Sequence, residues 1–209
     1  MKSIFLTIAL TLGFSGLLVA QEDIKTVEVG TVLTLGNVVM ENANGDATSI
    51  DGTKGTNGVV VIFSCNTCPF VVGSDSFGGW EKAYNDVAAK AKALGYGVIL
   101  VNSNEAKRDG DDSMEKMKER AKQQGYTMPY VVDVDSKLAN TLGAKTTPHV
   151  FVFDASNKLV YSGMIDNSVD AKRKEDIPYL VNALSELNSG KKLTTTSTPP
   201  RGCSIKRKK

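Results

Sequence analysis

Gly58-Val59-Val60-Val61-Ile62-Phe63-Ser64-Cys65-Asn66-Thr67-Cys68-Pro69 decides the architecture of this chain. The run from Gly58 to Phe63 shows no polar alternation, and a continuous β-branched run of that length suits a central parallel strand with both faces covered. Cys65 and Cys68 follow at its end. Cysteines at this spacing reach disulfide geometry when a turn or helix begins at the first. The thiolate is the reactive form, and the unpaired N–H groups and positive dipole end of a helix N-terminus lower a thiol's pKa. On that argument Cys65 is the attacking thiol, forming a mixed disulfide, and Cys68 the resolving thiol that releases it.

Other readings of the pair stay open. A static disulfide at this spacing closes a loop so short that little chain entropy is removed. A metal site is the stronger rival. Structural zinc sites take four ligands, whereas the chain has 3 Cys and 1 His, His149. Cys65, Cys68 and His149 could instead hold Cu(I), which soft thiolates suit.

Strands and helices alternate beyond the motif. Trp80, Tyr84, Val87 and Ala91 recur at helical spacing and make one apolar face. Gly95-Tyr96-Gly97 ends that helix, and Val98 to Val101 is a second buried strand. Asp109 to Ser113 is a loop ending in cap-type residues ahead of a charged helix from Ser113 to Gln124, closed by Gly125. Tyr130 to Val132 reads as a strand, Lys137 to Leu142 as a short helix, and His149 to Phe153 as a strand. A turn at Ala155 to Asn157 leads into Leu159 to Tyr161, an antiparallel edge, and Ile177 to Leu187 is a final helix. Ahead of the motif, Val32 to Leu35 and Val38 to Met40 suit short strands, with a turn signal at Asn44-Gly45-Asp46. The pattern implies an α/β fold: a mixed central sheet with helices on both faces. Thr146-Thr147-Pro148-His149, directly before a buried strand, suits a cis peptide bond, the alternative being an ordinary trans proline at a strand entrance.

Met1-Lys2, the apolar stretch Ile4 to Val19 and the small residue Ala20 read as a secretory signal peptide, cleaved near Ala20-Gln21, rather than a membrane anchor. Residues 21–189 then form one domain, exported to the periplasm or secreted, not membrane-spanning after cleavage. Residues 190–209 form a basic tail, loosely ordered, that contains Cys203. The formal net charge is +2, one unit of it from Lys2, so bulk charge gives no indication of nucleic acid. Three cysteines in an exported domain of this size are too few for a disulfide-stapled scaffold. No Gly-rich phosphate loop lies in a strand–helix context, so no organic cofactor is implied.

Taken together, the motif Phe63 to Pro69, Thr147-Pro148 before a strand, Met128 to Asp133, and Phe153-Asp154 with its hairpin resemble the thioredoxin-like superfamily. Within it they resemble the exported redoxins of the alkyl-hydroperoxide-reductase (AhpC/TSA) and TlpA/ResA types. The insertion before Met128 is similar to theirs. The resemblance implies a thioredoxin-like fold, a cis Pro148 beside the cysteine pair, and a Thr147 backbone that offers strand-like hydrogen bonds to a substrate. Against the thioredoxin pattern, Ser64 stands in place of Trp and Val59 in place of a buried acid. The Thr that peroxiredoxins place three residues before the reactive Cys is Ile62 for Cys65, and Cys65 itself for Cys68.

The leading function is therefore an exported thiol–disulfide oxidoreductase. It exchanges disulfides with protein thiols, including a membrane or periplasmic redox partner, and has no nucleic-acid role. The alternatives are a thiol peroxidase with an antioxidant role and a copper-binding or copper-delivery module. Cys203 reads either as a third redox cysteine on a mobile arm that reaches the pair, or as an incidental exposed thiol or one that pairs between chains. Arg201 and Lys206 beside it favour its thiolate.

Overall fold

A computed structural model describes residues 24–208. The expected signal peptide lies outside the described residues. Among those described, no helix is long and apolar enough to cross a membrane.

The chain forms α1 (Ile50–Thr53), β1 (Gly58–Ser64), α2 (Pro69–Val72), α3 (Tyr84–Ala93), β2 (Tyr96–Asn102), α4 (Met114–Gln124), β3 (Tyr130–Val132), α5 (Lys137–Leu142), β4 (Thr146–Thr147), β5 (His149–Asp154), β6 (Leu159–Gly163), α6 (Tyr179–Asn188) and β7 (Cys203–Ser204). Five strands make a mixed sheet in the order β3-β2-β1-β5-β6, and β4 pairs with β7 in a separate two-stranded ribbon. β1 is central, parallel to β2 and antiparallel to β5, and every residue in it is buried. That is the outcome its unbroken apolar run requires, because alternate side chains point to opposite faces and both faces are covered.

The two faces support two cores. Val60 and Ile62 of β1 point into one, with Leu100, Val150 and Val152, beneath Trp80 and Tyr84, Met117 of α4 and Leu180 and Leu184 of α6. Val59, Val61 and Phe63 point into the other, with Ile99, Val101, Phe151 and Phe153, beneath Ile50 and Leu138 and Leu142 of α5. Phe63 meets Phe151 edge to face, with ring centroids 5.6 Å apart. Helices on both faces close the sheet as expected.

Local signals place several boundaries. The Ser113 side chain caps α4 by accepting from the Lys116 amide, and Gly125 ends the helix in the left-handed conformation. Pro129 has no N–H to give the ladder, so β3 starts one residue later. The apolar face of Trp80, Tyr84, Val87 and Ala91 is buried as its spacing implies, although the helix is entered through a 3₁₀ turn at Glu81–Ala83.

Two expectations fail. The stretches Val32 to Leu35 and Val38 to Met40 form only isolated bridges, from Val32 to Lys158 and from Met40 to Thr48, and Val39 lies 70 % exposed with no neighbouring strand to pair against. The basic tail is also not loose. Thr196 and Thr198 bond to Ser162 along the open edge of β6, an arrangement that covers an otherwise unpaired strand. Farther on, Ile205 is buried and its amide donates to Lys145 O at 3.1 Å.

Truncating Phe63, fully buried and edge to face with Phe151, to alanine should cost about 3–5 kcal/mol. The expected result is a lower denaturation midpoint at unchanged m-value; a midpoint within error of the parent would contradict the packing described here.

Candidate functional site: a three-cysteine cleft

The site lies where the C-terminal end of β1 meets β4. β1 ends at Ser64, whose hydroxyl lies 3.1 Å from the Tyr84 hydroxyl. Cys65 follows immediately, so its side chain sits at the strand end, only 2 % exposed. Asn66 and Thr67 turn the chain, and Cys68, 4 % exposed, is the N-cap residue of α2, whose first residue is Pro69. The expected helix start behind Cys65 is thus displaced by three residues: the backbone N–H groups of α2 open on Cys68. Proline's fixed φ and missing N–H suit the first helical position, and this sets the boundary.

Thr147 touches both sulfurs. Its hydroxyl lies 3.1 Å from Cys65 Sγ, and its carbonyl oxygen accepts from Cys68 Sγ at 3.0 Å. The Thr147–Pro148 bond is cis. Cys203, expected on a free arm, lies against the pair: it stands opposite Thr147 in the β4–β7 ladder, and its amide donates to Cys68 Sγ at 3.4 Å. A pocket of about 130 Å³ opens on this point, lined by Cys65, Cys68, Thr147 and Cys203 with Lys107 and Lys206.

Sequence reasoning missed Asp112. It is fully buried, and its carboxylate accepts from the Asn66 amide (2.8 Å), from Asn102 Nδ2 (2.8 Å) and from Asn104 Nδ2 (2.9 Å). The Asn66 side chain donates to Asp111 O and accepts from the Tyr130 hydroxyl. Arg108 donates to the carbonyls of Asp112 and Asn102 at 2.7 and 2.8 Å. The insertion between β2 and β3 therefore clamps the turn between the two cysteines. The available signal was the acidic run 109–112, which reads equally well as a helix-capping loop.

The three groups share protons unequally. Cys65 is held far above the ordinary thiol range, first because its thiol donates to the Cys68 sulfur, then by burial and by the Asp112 charge. Cys68 is lowered to about 5, first by that same donation, then by the thiol and amide of Cys203 and by the Phe70 amide. The Thr147 carbonyl acts the other way, since an oxygen acceptor favours the protonated thiol, but the donors around Cys68 outnumber it. Cys203 is raised to about 11, by burial and then by Cys68. Within the pair these donors favour negative charge on Cys68 and hold Cys65 toward its protonated form. The helix start assumed behind Cys65 in the sequence argument lies instead at Cys68.

The copper arrangement does not assemble. His149 is buried on the other face of the sheet, 4.5 Å from the Phe151 ring, where its Nδ1 accepts from the Lys145 amide and burial holds it neutral, its pKa lowered to about 3. Among the described residues no group of three or more His, Cys, Asp and Glu side chains is arranged to hold a metal ion.

Comparison with known proteins bears on the fold and the family. No curated protein matches the chain. Among solved structures it is similar to an uncharacterized conserved protein from Geobacillus kaustophilus, 29% identical, covering 87% of this chain and 93% of that one at a TM-score of 0.73. It is also similar to a hypothetical protein from Sinorhizobium meliloti, 29% identical over 88% and 97% of the two chains at a TM-score of 0.76. The pneumococcal exposed lipoprotein thioredoxin from Streptococcus pneumoniae, 21% identical over 74% and 98% at a TM-score of 0.52, shares the fold. The thioredoxin-like architecture is thereby established. The Redoxin family model matches residues 28–179, which spans β1 to β6 and the cysteine pair, and the chain belongs to the Redoxin family, with thiol redox chemistry of the oxidoreductase or peroxidase kind.

Proposed function

We propose that the protein is an exported thiol–disulfide oxidoreductase in which Cys68 attacks a protein disulfide and Cys65 resolves the intermediate. The observation that carries this reading is the placement of Cys68 at the N-cap of α2 beside the pocket, with the Cys203 amide donating to its sulfur; the same donors lower its pKa while that of Cys65 is raised.

The cycle balances without any further group. The Cys68 thiolate attacks one sulfur of a partner's disulfide. A Cys68–partner bond forms, the partner's S–S bond breaks, and its other sulfur leaves as a thiolate. Cys65 then gives up its proton to that leaving thiolate and attacks Cys68 Sγ. The Cys65–Cys68 disulfide forms, and the partner leaves fully reduced. Run backwards, the same steps oxidise a partner dithiol. The hydrogen bond to the Cys68 sulfur, with burial, keeps Cys65 protonated until the mixed disulfide has consumed the Cys68 thiolate. The partner is a protein thiol or disulfide met outside the cytoplasm, an address that rests on the signal-peptide reading of residues 1–20.

A peroxidase of the peroxiredoxin pattern carries a Thr three residues before the reactive Cys; Ile62 and Cys65 stand at those positions here, so disulfide exchange is the better fit.

Mixed-disulfide trapping separates the two cysteines. Cys65→Ser should accumulate partner adducts through Cys68, whereas Cys68→Ser should form none above background; adducts that depend on Cys65 instead would return the roles to those read from the sequence. A second expectation concerns pH. Thiolate ultraviolet absorbance of the reduced protein should rise as pH climbs through about 5, and Cys68→Ser should lose that step. A first ionisation near the ordinary thiol value of about 8.5 would contradict the arrangement.

A further inference from the structure

The last residues of the chain occupy the place beside the cysteine pair where a partner's strand would have to lie. β7 pairs antiparallel with β4, Thr146 opposite Ser204 and Thr147 opposite Cys203. Gly202 makes the approach possible: a Cβ there would stand 2.2 Å from Thr147 O, a backbone atom that cannot swing aside. The strand is held from both ends. Ala106 donates to Lys206 O at 2.8 Å, Lys206 donates its amide to Asn104 Oδ1 at 2.9 Å, and Arg207 bonds to Asn140 Oδ1 and Ala144 O, each at 2.6 Å. Upstream, Thr198 bonds to Ser162 and Met164. The result is a cysteine placed by backbone pairing against Cys68, on the side of it facing the pocket.

We propose that Cys203 is the third redox thiol of this site, presented to Cys68 by the C-terminal strand, and that the disulfide moves between Cys65–Cys68 and Cys68–Cys203. The inference rests on the exchange reading of the Cys65–Cys68 pair. The step needs no outside oxidant once a partner has oxidised the pair. The Cys203 thiolate attacks Cys68 Sγ, the Cys68–Cys203 bond forms, the Cys65–Cys68 bond breaks, and Cys65 leaves as a thiolate that takes up the proton Cys203 lost. Two thiols exchange places and the oxidation state is unchanged. In the reduced state the same contact has a second consequence: the Cys203 thiol and amide donate to the Cys68 thiolate and shield it. When Cys68 becomes part of a disulfide, that negative neighbour is gone and Lys206 remains to favour the Cys203 thiolate. The strand also fills the Thr147 backbone position, so an extended segment of a partner protein has to displace it first.

Oxidised glutathione tests this directly on the full chain. In Cys65→Ser, glutathione bound to Cys68 should be expelled by Cys203, leaving a Cys68–Cys203 disulfide within one chain. Because the attack is intramolecular, the adduct should be at least about tenfold shorter-lived than in Cys65→Ser/Cys203→Ser. Equal lifetimes, with Cys203 still free, would overturn the proposal and leave the exchange reading intact. Failure of glutathione to attach to Cys68 in the double variant would overturn the exchange reading and the proposal with it. Gly202→Val keeps the thiol but blocks the strand, and in the Cys65→Ser background it should slow closure at least about tenfold; an unchanged rate would overturn presentation by the strand. The unsubstituted protein supplies the check that does not depend on a variant: after partial oxidation, peptide mapping should find both Cys65–Cys68 and Cys68–Cys203 links, and the lack of the second would overturn the proposal.

Discussion

The site depends on the backbone and hydroxyl of Thr147. One residue contacts Cys65 through its side chain, contacts Cys68 through its carbonyl, pairs with Cys203 through the β4–β7 ladder and leads into cis Pro148. It can do so because β1 and β5 are paired along their length, with Phe63 opposite His149, so the end of one strand and the start of the other are held together. The apolar run of β1 is therefore more than a core element. Its burial on both faces fixes the position of the cysteines relative to Thr147, and without that register the three sulfurs would have no common meeting point.

Charge at this point is rationed. Two buried thiols and a buried carboxylate lie together, and burial of each additional negative charge in a low-dielectric setting is costly. Three N–H donors, from Asn66, Asn102 and Asn104, satisfy the Asp112 carboxylate. The Cys65 thiol, Cys203 and the Phe70 amide favour negative charge on Cys68, while the hydrogen bond to Cys68 and burial hold Cys65 above the ordinary thiol range. In the proposed cycle that hold is released once Cys68 enters a mixed disulfide, so the two thiols would act in sequence.

Much of the fold could be read from residues alone, because the signals are local. The all-apolar Gly58 to Phe63 gave a central strand, Ser113 and Gly125 bounded α4, and Gly143 closed α5. The position of Thr147-Pro148 beside the cysteines was legible through family likeness. The start of the helix behind the cysteines was placed three residues early, although Pro69 was a usable signal: proline at a first helical position makes Cys68, not Cys65, the cap. Asp112 and the tail were not legible for a different reason. Asp112 reaches Asn66 across 46 residues of sequence, and Cys203 meets Thr147 through an insertion-free run of polar residues that composition classes as loose. What orders that run is a strand edge to cover and core surfaces that receive Ile205 and Leu193, neither of which is a property of the segment by itself.

The central claim is that Cys65 and Cys68 form one reversible exchange centre, and a glutathione redox titration of the whole protein tests it most directly, with disulfides located by peptide mass mapping. The account predicts a reversible two-electron transition in which a Cys65–Cys68 link appears within single chains. Cysteines that stay reduced across the titration, or that oxidise only between chains, would contradict it.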